Sequence, residues 1–582
     1  MNVLSRLEID VFVLYMLFIV YKRVSQKSTA NFKYRKKNVL ERKRRICMRR
    51  KKWAAIGISA VLAMAVLAGC NGSGVDMGTM TSEEIKKFEE NAGGLKLPLD
   101  KNGTTLSIIC DTSQDSNDSV VINELRRRTG INLQLIQIPR ATIKEKARVL
   151  IASKTDMPDI FNGAMTAEEV NDIGMQGAFE PINEHIDELP NFKSIFIDNA
   201  QDLKTEKVMK SFPAPDGNIY IFPRYDTERY VNHGMLYRKD IFDKHNIPMW
   251  NSTEEYYQTL KKLKTLYPSS IPLVSKTGVT IFNQLGQSWG LGSGSPGIYF
   301  EEETRTWKYA STDPKYKDML DFIKKLYNEK LLDPEFLTCT QAAWTTKMTQ
   351  AESAFTTFDW IGRLDMFREQ AQATVPDYDL RYGYPIGPTG KVVTLPQING
   401  GPAVKKSKNS ELALKLLDYL LSPAGAELMT CGIEGVTFNW NADKTHADYI
   451  GFEEGKVIGI NDLEEKYGMF VSGLYRRFDH RSVYFNYTER EQEAQDMMLN
   501  KDGGGFIPEP PELVYTSEEK DIITQNDAKL RKAAEEFATK YILTNDQTGD
   551  AAWNNWLKQA EQLGVKSIED ANNSAQARYD AK

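Results

Sequence analysis

Between Thr105 and Phe161 the hydrophobic period switches repeatedly, and that alternation limits the architecture more than any other feature of the chain. Leu106 to Cys110 is a continuous apolar run, as in a buried strand, and Ser119 to Thr129 is spaced as a helix closed by Gly130. Ile131, Leu133 and Leu135 alternate as a second strand, and a helix over about Thr142 to Ser153 follows. Then Asp156-Met157-Pro158-Asp159-Ile160-Phe161 feeds a proline turn into a short apolar strand. Strand, helix, strand, helix, strand implies an α/β fold with a parallel sheet covered by helices. The pattern resumes after Gly234, with Met235 to Tyr237 strand-like and Ser252 to Tyr267 helical, Ser252 or Thr253 being the N-cap.

The later chain reads as mostly helical. Glu411 to Leu421 buries Ala413, Leu416, Leu417 and Leu420 on one face and stops at Ser422-Pro423. Near the end, Ile523, Leu530, Ala534, Phe537 and Tyr541 share a helical face. Lys501-Asp502-Gly503-Gly504-Gly505 reads as a loop ahead of the Pro508-Pro510-Pro511 segment.

The N-terminal region sets the compartment. Arg49, Arg50, Lys51 and Lys52 precede an apolar run, Trp53 to Ala68, too short to span a bilayer comfortably and suited to secretion. It ends in Leu67-Ala68-Gly69-Cys70, which resembles a lipobox. The expected reading is a signal peptide over 48–69, lipidation of Cys70 and a flexible linker over 70–100. Residues 1–47 are expected to be over-extended translation upstream of a start at Met48; a cytoplasmic tail with a signal anchor is the alternative.

Beyond residue 69 the chain carries 58 Lys+Arg against 76 Asp+Glu, a balance of −18 compared with −5 for the whole chain. Such a body repels nucleic-acid phosphates, so no nucleic-acid partner is expected. Its 513 residues suffice for two lobes. After Cys70 only Cys110, Cys339 and Cys431 remain, which is no disulfide framework.

Catalytic signatures are missing. His185, His233, His245, His446 and His480 are scattered, and the sequence has no HExxH, GxSxG elbow or P-loop. Gly292-Ser293-Gly294-Ser295-Pro296-Gly297 fits GxGxxG formally, but strand-like Ile298-Tyr299-Phe300 follows where a phosphate-binding helix should start, so a loop is expected. Paired carboxylates for glycoside hydrolysis are not readable from sequence.

Several stretches together resemble extracellular solute-binding proteins of family 1, and more narrowly the large sugar-binding lipoproteins of Gram-positive carbohydrate ABC transporters. They are Lys154 to Phe161, Gly177-Ala178-Phe179-Glu180-Pro181-Ile182, Leu236 to Asp240 with Ile247-Pro248, and Gly401-Pro402-Ala403-Val404 with Ala413 to Ser422. Gly432 to Val436 and Tyr541-Ile542-Leu543 with Trp553 and Trp556 complete the set. The resemblance implies a type 2 periplasmic-binding-protein-like fold: two α/β lobes joined by crossing hinge strands, with a ligand cleft between. Mapped by segment, the first lobe is expected at 101–230 and 357–400, the second at 235–352 and 404–582. Crossings fall near Tyr230 to Met235, Ser353 to Phe358 and Gly400 to Ala403. The implied protein is no enzyme and needs no cofactor. It is a monomer anchored by lipid on the extracellular face of the cell membrane, where it passes a sugar or oligosaccharide to permease subunits. A secreted polysaccharide-active enzyme and a non-transport sensor or adhesion lipoprotein are the alternatives. Some long relatives carry a calcium loop after the helix matching Ser252 to Tyr267; here the chain runs directly through Tyr267 to Pro272, so no metal is expected.

Sugar binding needs flat aromatic faces and planar polar groups, and α/β lobes collect ligand groups at strand ends. That singles out Asp111 and Thr112, Asn162, Arg224 and Tyr225, and Asp359 and Trp360 as substrate-binding residues, with Trp289 and Trp440 as stacking platforms from the second lobe.

Overall fold

The structure is a computed structural model that describes residues 79–581 apart from 112–114, 154–156, 226–228, 277 and 454–455. The expectations for residues 1–69, Cys70 and Thr112 lie outside the described residues.

The first sheet is built as the opening alternation requires. Strand β1 (Thr105–Asp111) pairs in parallel with β2 (Asn132–Ile138) and β3 (Ile160–Phe161). Leu106, Ile108, Ile109 and Cys110 are fully buried, as a central strand covered on both faces requires. The helix Val120–Thr129 ends on Gly130 in the left-handed region (φ 73°), where a Cβ would lie 1.9 Å from the Asp100 carbonyl oxygen. The sheet's remaining strand comes from far along the chain: β13 (Ala403–Val404) runs antiparallel to β3, giving the order β13-β3-β1-β2. The helix Ser410–Leu421 packs behind it, burying Ala413, Leu416, Leu417 and Leu420. Its Asp418 carboxylate accepts hydrogen bonds from the Asn191 and Phe192 amides at 3.2 and 2.7 Å.

The second sheet has the order β10-β5-β9-β6. Strand β5 (His233–Arg238) runs antiparallel to both β9 (Ala354–Trp360) and β10 (Leu380–Gly383), while β6 (Ile271–Leu273) is parallel to β9. One face is covered by the helices Thr253–Leu266, Pro314–Asn328 and Ser517–Leu543, the other by Gln341–Thr349 and Arg363–Ala371. After the glycine-rich loop, β7 (Ile298–Glu301) and β8 (Thr306–Tyr309) form a hairpin, so no helix follows Gly297.

Strand pairing divides the chain between the lobes differently from the sequence expectation. Residues 357–400 are expected in the first lobe, yet β9 and β10 sit in the second sheet. Residues 404–582 are expected wholly in the second, yet buried residues from Ala413 to Phe478 share the first lobe's core. The expected crossing at Ser353 to Phe358 is an internal strand. The crossings instead run from β4 (Arg224–Tyr225) to β5, from β11 (Val392–Val393) through β12 (Ile398–Asn399) to β13, and past Asn486 into the helix Glu489–Leu499. Strands β4 and β12 pair antiparallel, tying two crossings together. The expected linker 70–100 also ends early: the helix Ser82–Glu90 is followed by buried Ala92, Leu95 and Leu97, which join the first core.

Candidate functional site

Two strand-end edges and the crossings between them carry the polar and aromatic groups that sequence reasoning sought. On the first lobe, Asp111 and Asn162 stand at the C-terminal ends of β1 and β3. Both meet one turn, Phe470 to Gly473. The Asp111 amide donates to Ser472 Oγ at 2.7 Å, and Asn162 Nδ2 donates to the Ser472 carbonyl at 2.8 Å. Phe470 and Ser472 hold left-handed backbones (φ 58° and 47°), a conformation costly for non-glycine residues that persists only where surroundings fix it. Asp111 is also committed to Arg140, whose Nε donates to Oδ2 at 2.8 Å. The Arg224 guanidinium lies over the Tyr475 ring, 5.1 Å from its centre.

On the second lobe, Trp360 ends β9 directly opposite His233 at the start of β5. Trp360 keeps 36% of its surface exposed, and its ring lies over Gly362, where a Cβ would come within 2.5 Å of it. His233 accepts at Nδ1 from Asn232 Nδ2 at 2.7 Å. Burial lowers the His233 pKa; Asp359 opposes this, while Lys276, Arg229 and Arg363 add to it, so the imidazole is neutral at pH 7.

Other expected residues are occupied structurally. Asp359 is buried, ion-paired with Lys276 and with Arg363 Nε at 3.1 Å, so it orders two cations rather than facing a ligand. Tyr225 is buried, edge-on to Phe196, and its amide donates to the Arg476 carbonyl at 2.8 Å. Trp289 is a core residue rather than a platform: it caps the helix Thr280–Ser288, is 4% exposed and packs on Phe322. Its Gly/Ser-rich flank suggested exposure, but Leu285 and Leu291 on either side draw it inward. Trp440 belongs to the first lobe, on the hairpin of β14 (Phe438–Trp440) and β15 (Ala447–Tyr449), with Arg481 over its ring at 4.0 Å.

A segment missed by sequence reasoning runs from the first edge to the first crossing. Tyr475, Phe478, Tyr484, Phe485 and Tyr487 fall within thirteen residues, interleaved with Arg476, Arg477, His480 and Arg481. Phe478 stacks face to face on Tyr484 at 4.0 Å and lies 4.4 Å from Tyr475. Arg229, on the first crossing, covers Tyr484 at 4.5 Å and donates from Nη1 to its carbonyl at 2.9 Å. The aromatic density interleaved with arginine was a readable signal. Beside this segment lies a cavity of 580 Å³, walled by Tyr225, Arg229, Tyr230, Tyr484, Phe506 and Gln397 among others, and therefore touching both lobes and two crossings. Among the described residues no cluster of three or more metal-ligating side chains occurs.

The model of the bacterial extracellular solute-binding protein family matches residues 113–427. Lipoprotein LipO of Bacillus subtilis (strain 168) is 22% identical over 550 residues, 89% of this chain and 97% of that protein. The polygalacturonan/rhamnogalacturonan-binding protein YtcQ of the same organism is 22% identical over 539 residues, 88% and 95% of the two chains. Among solved structures, alginate-binding protein AlgQ2 without calcium ion aligns with a TM-score of 0.63 at 22% identity, covering 83% of this chain and 99% of that one. The S. pneumoniae ABC-transporter substrate-binding protein FusA in complex with kestose aligns at 0.61 and 17% identity, covering 82% and 99%. At such identities the likeness is one of fold, and it agrees with the two-lobed α/β arrangement.

Proposed function

The chain belongs to the bacterial extracellular solute-binding protein family, and from that premise we propose that it captures a sugar or oligosaccharide outside the cell and delivers it to the permease of an ABC transporter. Lipid on Cys70 holds it to the outer face of the membrane, and its work is a change of shape: the lobes close over the ligand and present a joint surface to the permease. The reading is supported by the sugars named for YtcQ and for the FusA complex.

The observation that carries it is the placing of aromatic faces beside planar polar groups where the lobes meet. Trp360 offers an exposed ring on one edge, Tyr475 offers a half-buried ring with the Arg224 guanidinium over it on the other, and Asp111 meets the same turn through Ser472. Rings of this kind cover the C–H face of a pyranose, and amide and guanidinium groups bond its hydroxyls. A glycan array followed by calorimetry on the purified protein tests the proposal. Saturable binding without release of reducing ends is expected. Turnover of a glycan would assign an enzyme instead, and absence of binding to every glycan would overturn the sugar reading.

A further inference from the structure

Resting on that reading, we infer that Arg229 makes the site select sugars that carry a carboxylate. Its guanidinium is held from behind: it lies on the faces of Tyr484 and Tyr487, at 4.5 and 5.5 Å, and Nη1 donates to the Tyr484 carbonyl. That fixes the plane of the fork while leaving other donors unengaged. Its Nε is buried and has no hydrogen-bond partner among the described residues, an expensive state for a charged donor.

Neighbouring carboxylates stand near it without pairing: Glu491 lies within reach of its field, and Glu509, on the cavity wall, is held by Lys207. Among the described residues Arg229 has no carboxylate within ion-pair distance, unlike Arg363, which Asp359 holds. The nearby Glu491 carboxylate is turned to its own helix, accepting from the Thr488 amide at 3.0 Å. Beside Arg229 the cavity of 580 Å³ is walled by Tyr225, Tyr230 and Phe506 together with the charged Asp202, Lys204 and Glu509, and its size falls in the range of small-molecule sites. A guanidinium with free donors against aromatic walls fits a pyranose whose ring is covered by a side chain and whose planar carboxylate takes two N–H groups at once. The exported body, at −18, does not attract anions from a distance. Retention of an acidic sugar therefore depends on short contacts of this kind.

Calorimetry on the full protein with trimers of galacturonate and of mannuronate, each compared with its methyl ester, tests the assignment. The ester keeps the ring and removes the charge. Wild type should bind one of the acids at least tenfold more tightly than its ester, and added salt should narrow the ratio. Arg229→Met should bind acid and ester within about twofold of each other, with the melting temperature of the free protein recording that it folds. Arg229→Lys keeps the charge and loses the fork, so its preference should fall to a few-fold; it decides the matter should the methionine variant not fold. Equal affinity of wild type for acid and ester, or a ratio unchanged in the variants, would overturn the inference. Binding confined to neutral glycans would also overturn it while leaving the oligosaccharide reading intact; failure of all glycans would remove both.

Discussion

Replacing Trp360 by alanine separates a ligand platform from a packing residue in one variant. The ring is 36% exposed and rests on Gly362 at the end of β9, so truncation loses roughly 100 Å² of burial, or about 2.5 kcal/mol of stability at ~25 cal/mol/Å². Trp344 provides the contrast within the same lobe. It is wholly buried, and its Nε1 donates to Thr357 Oγ1 at 2.8 Å, so Trp344→Ala should cost about 3–5 kcal/mol. If Trp360 stacks on a sugar, its loss should weaken binding by about 1–3 kcal/mol, roughly tenfold to a hundredfold. Thermal melts of the free protein and titrations of the best glycan, run on both variants, give four numbers. The reasoning requires a modest melting shift with a large affinity loss for Trp360→Ala, and the reverse for Trp344→Ala. Normal affinity with a large stability loss at Trp360 would refute it.

Trp289→Ala should behave as a core truncation, lowering stability by about 3–5 kcal/mol while the folded fraction binds with unchanged affinity; a calorimetric loss of affinity would return Trp289 to the site. Burial raises the Asp418 carboxyl to about 6 in the folded protein, so the folded state holds a proton that the unfolded chain releases. Its stabilising protonation is complete below the unfolded pKa and is lost as pH rises through about 6. Taking the pH from 7 to 5 should therefore strengthen wild type by about 1 kcal/mol relative to Asp418→Asn in paired denaturant melts, and equal responses would refute the assignment. Cys70→Ser should abolish lipid labelling and release protein to the medium; labelling that persists would refute the anchor.

Elements governed by local pattern were legible in the sequence. The helix closed at Gly130, the Ser252 N-cap, which accepts from the Glu255 amide at 3.2 Å, and the alternation in β2 each follow from a few adjacent residues. What escaped was which lobe owns which segment. Strand β9 is buried from Ala354 to Asp359, and nothing in Ala354-Phe355-Thr356-Thr357-Phe358 says whether its partner is β5 or β1; only the three-dimensional register decides. The site was legible in part for the same reason. Strand-end rules place Asp111, Asn162 and Trp360 at strand ends, as the structure has them, but a side chain at a strand end can equally be sealed by its own partners, as Asp359 is by Lys276 and Arg363. The turn that presents Ser472 to both β1 and β3 comes from more than 300 residues away, and no spacing rule spans that distance.

That distance has a consequence for how the chain is made. The outer edge of β3 has no partner until Ala403 and Val404 are synthesised, some 240 residues after it, and the aromatic turn at Phe470 to Phe478 arrives later still. An open strand edge is a template for unwanted pairing, and contacts this far apart form slowly. The first lobe therefore cannot finish during early synthesis, and a chain cut anywhere before about residue 485 leaves both lobes incomplete. Under the export proposed above, such late completion would be an advantage: nothing locks until nearly all of the chain has passed.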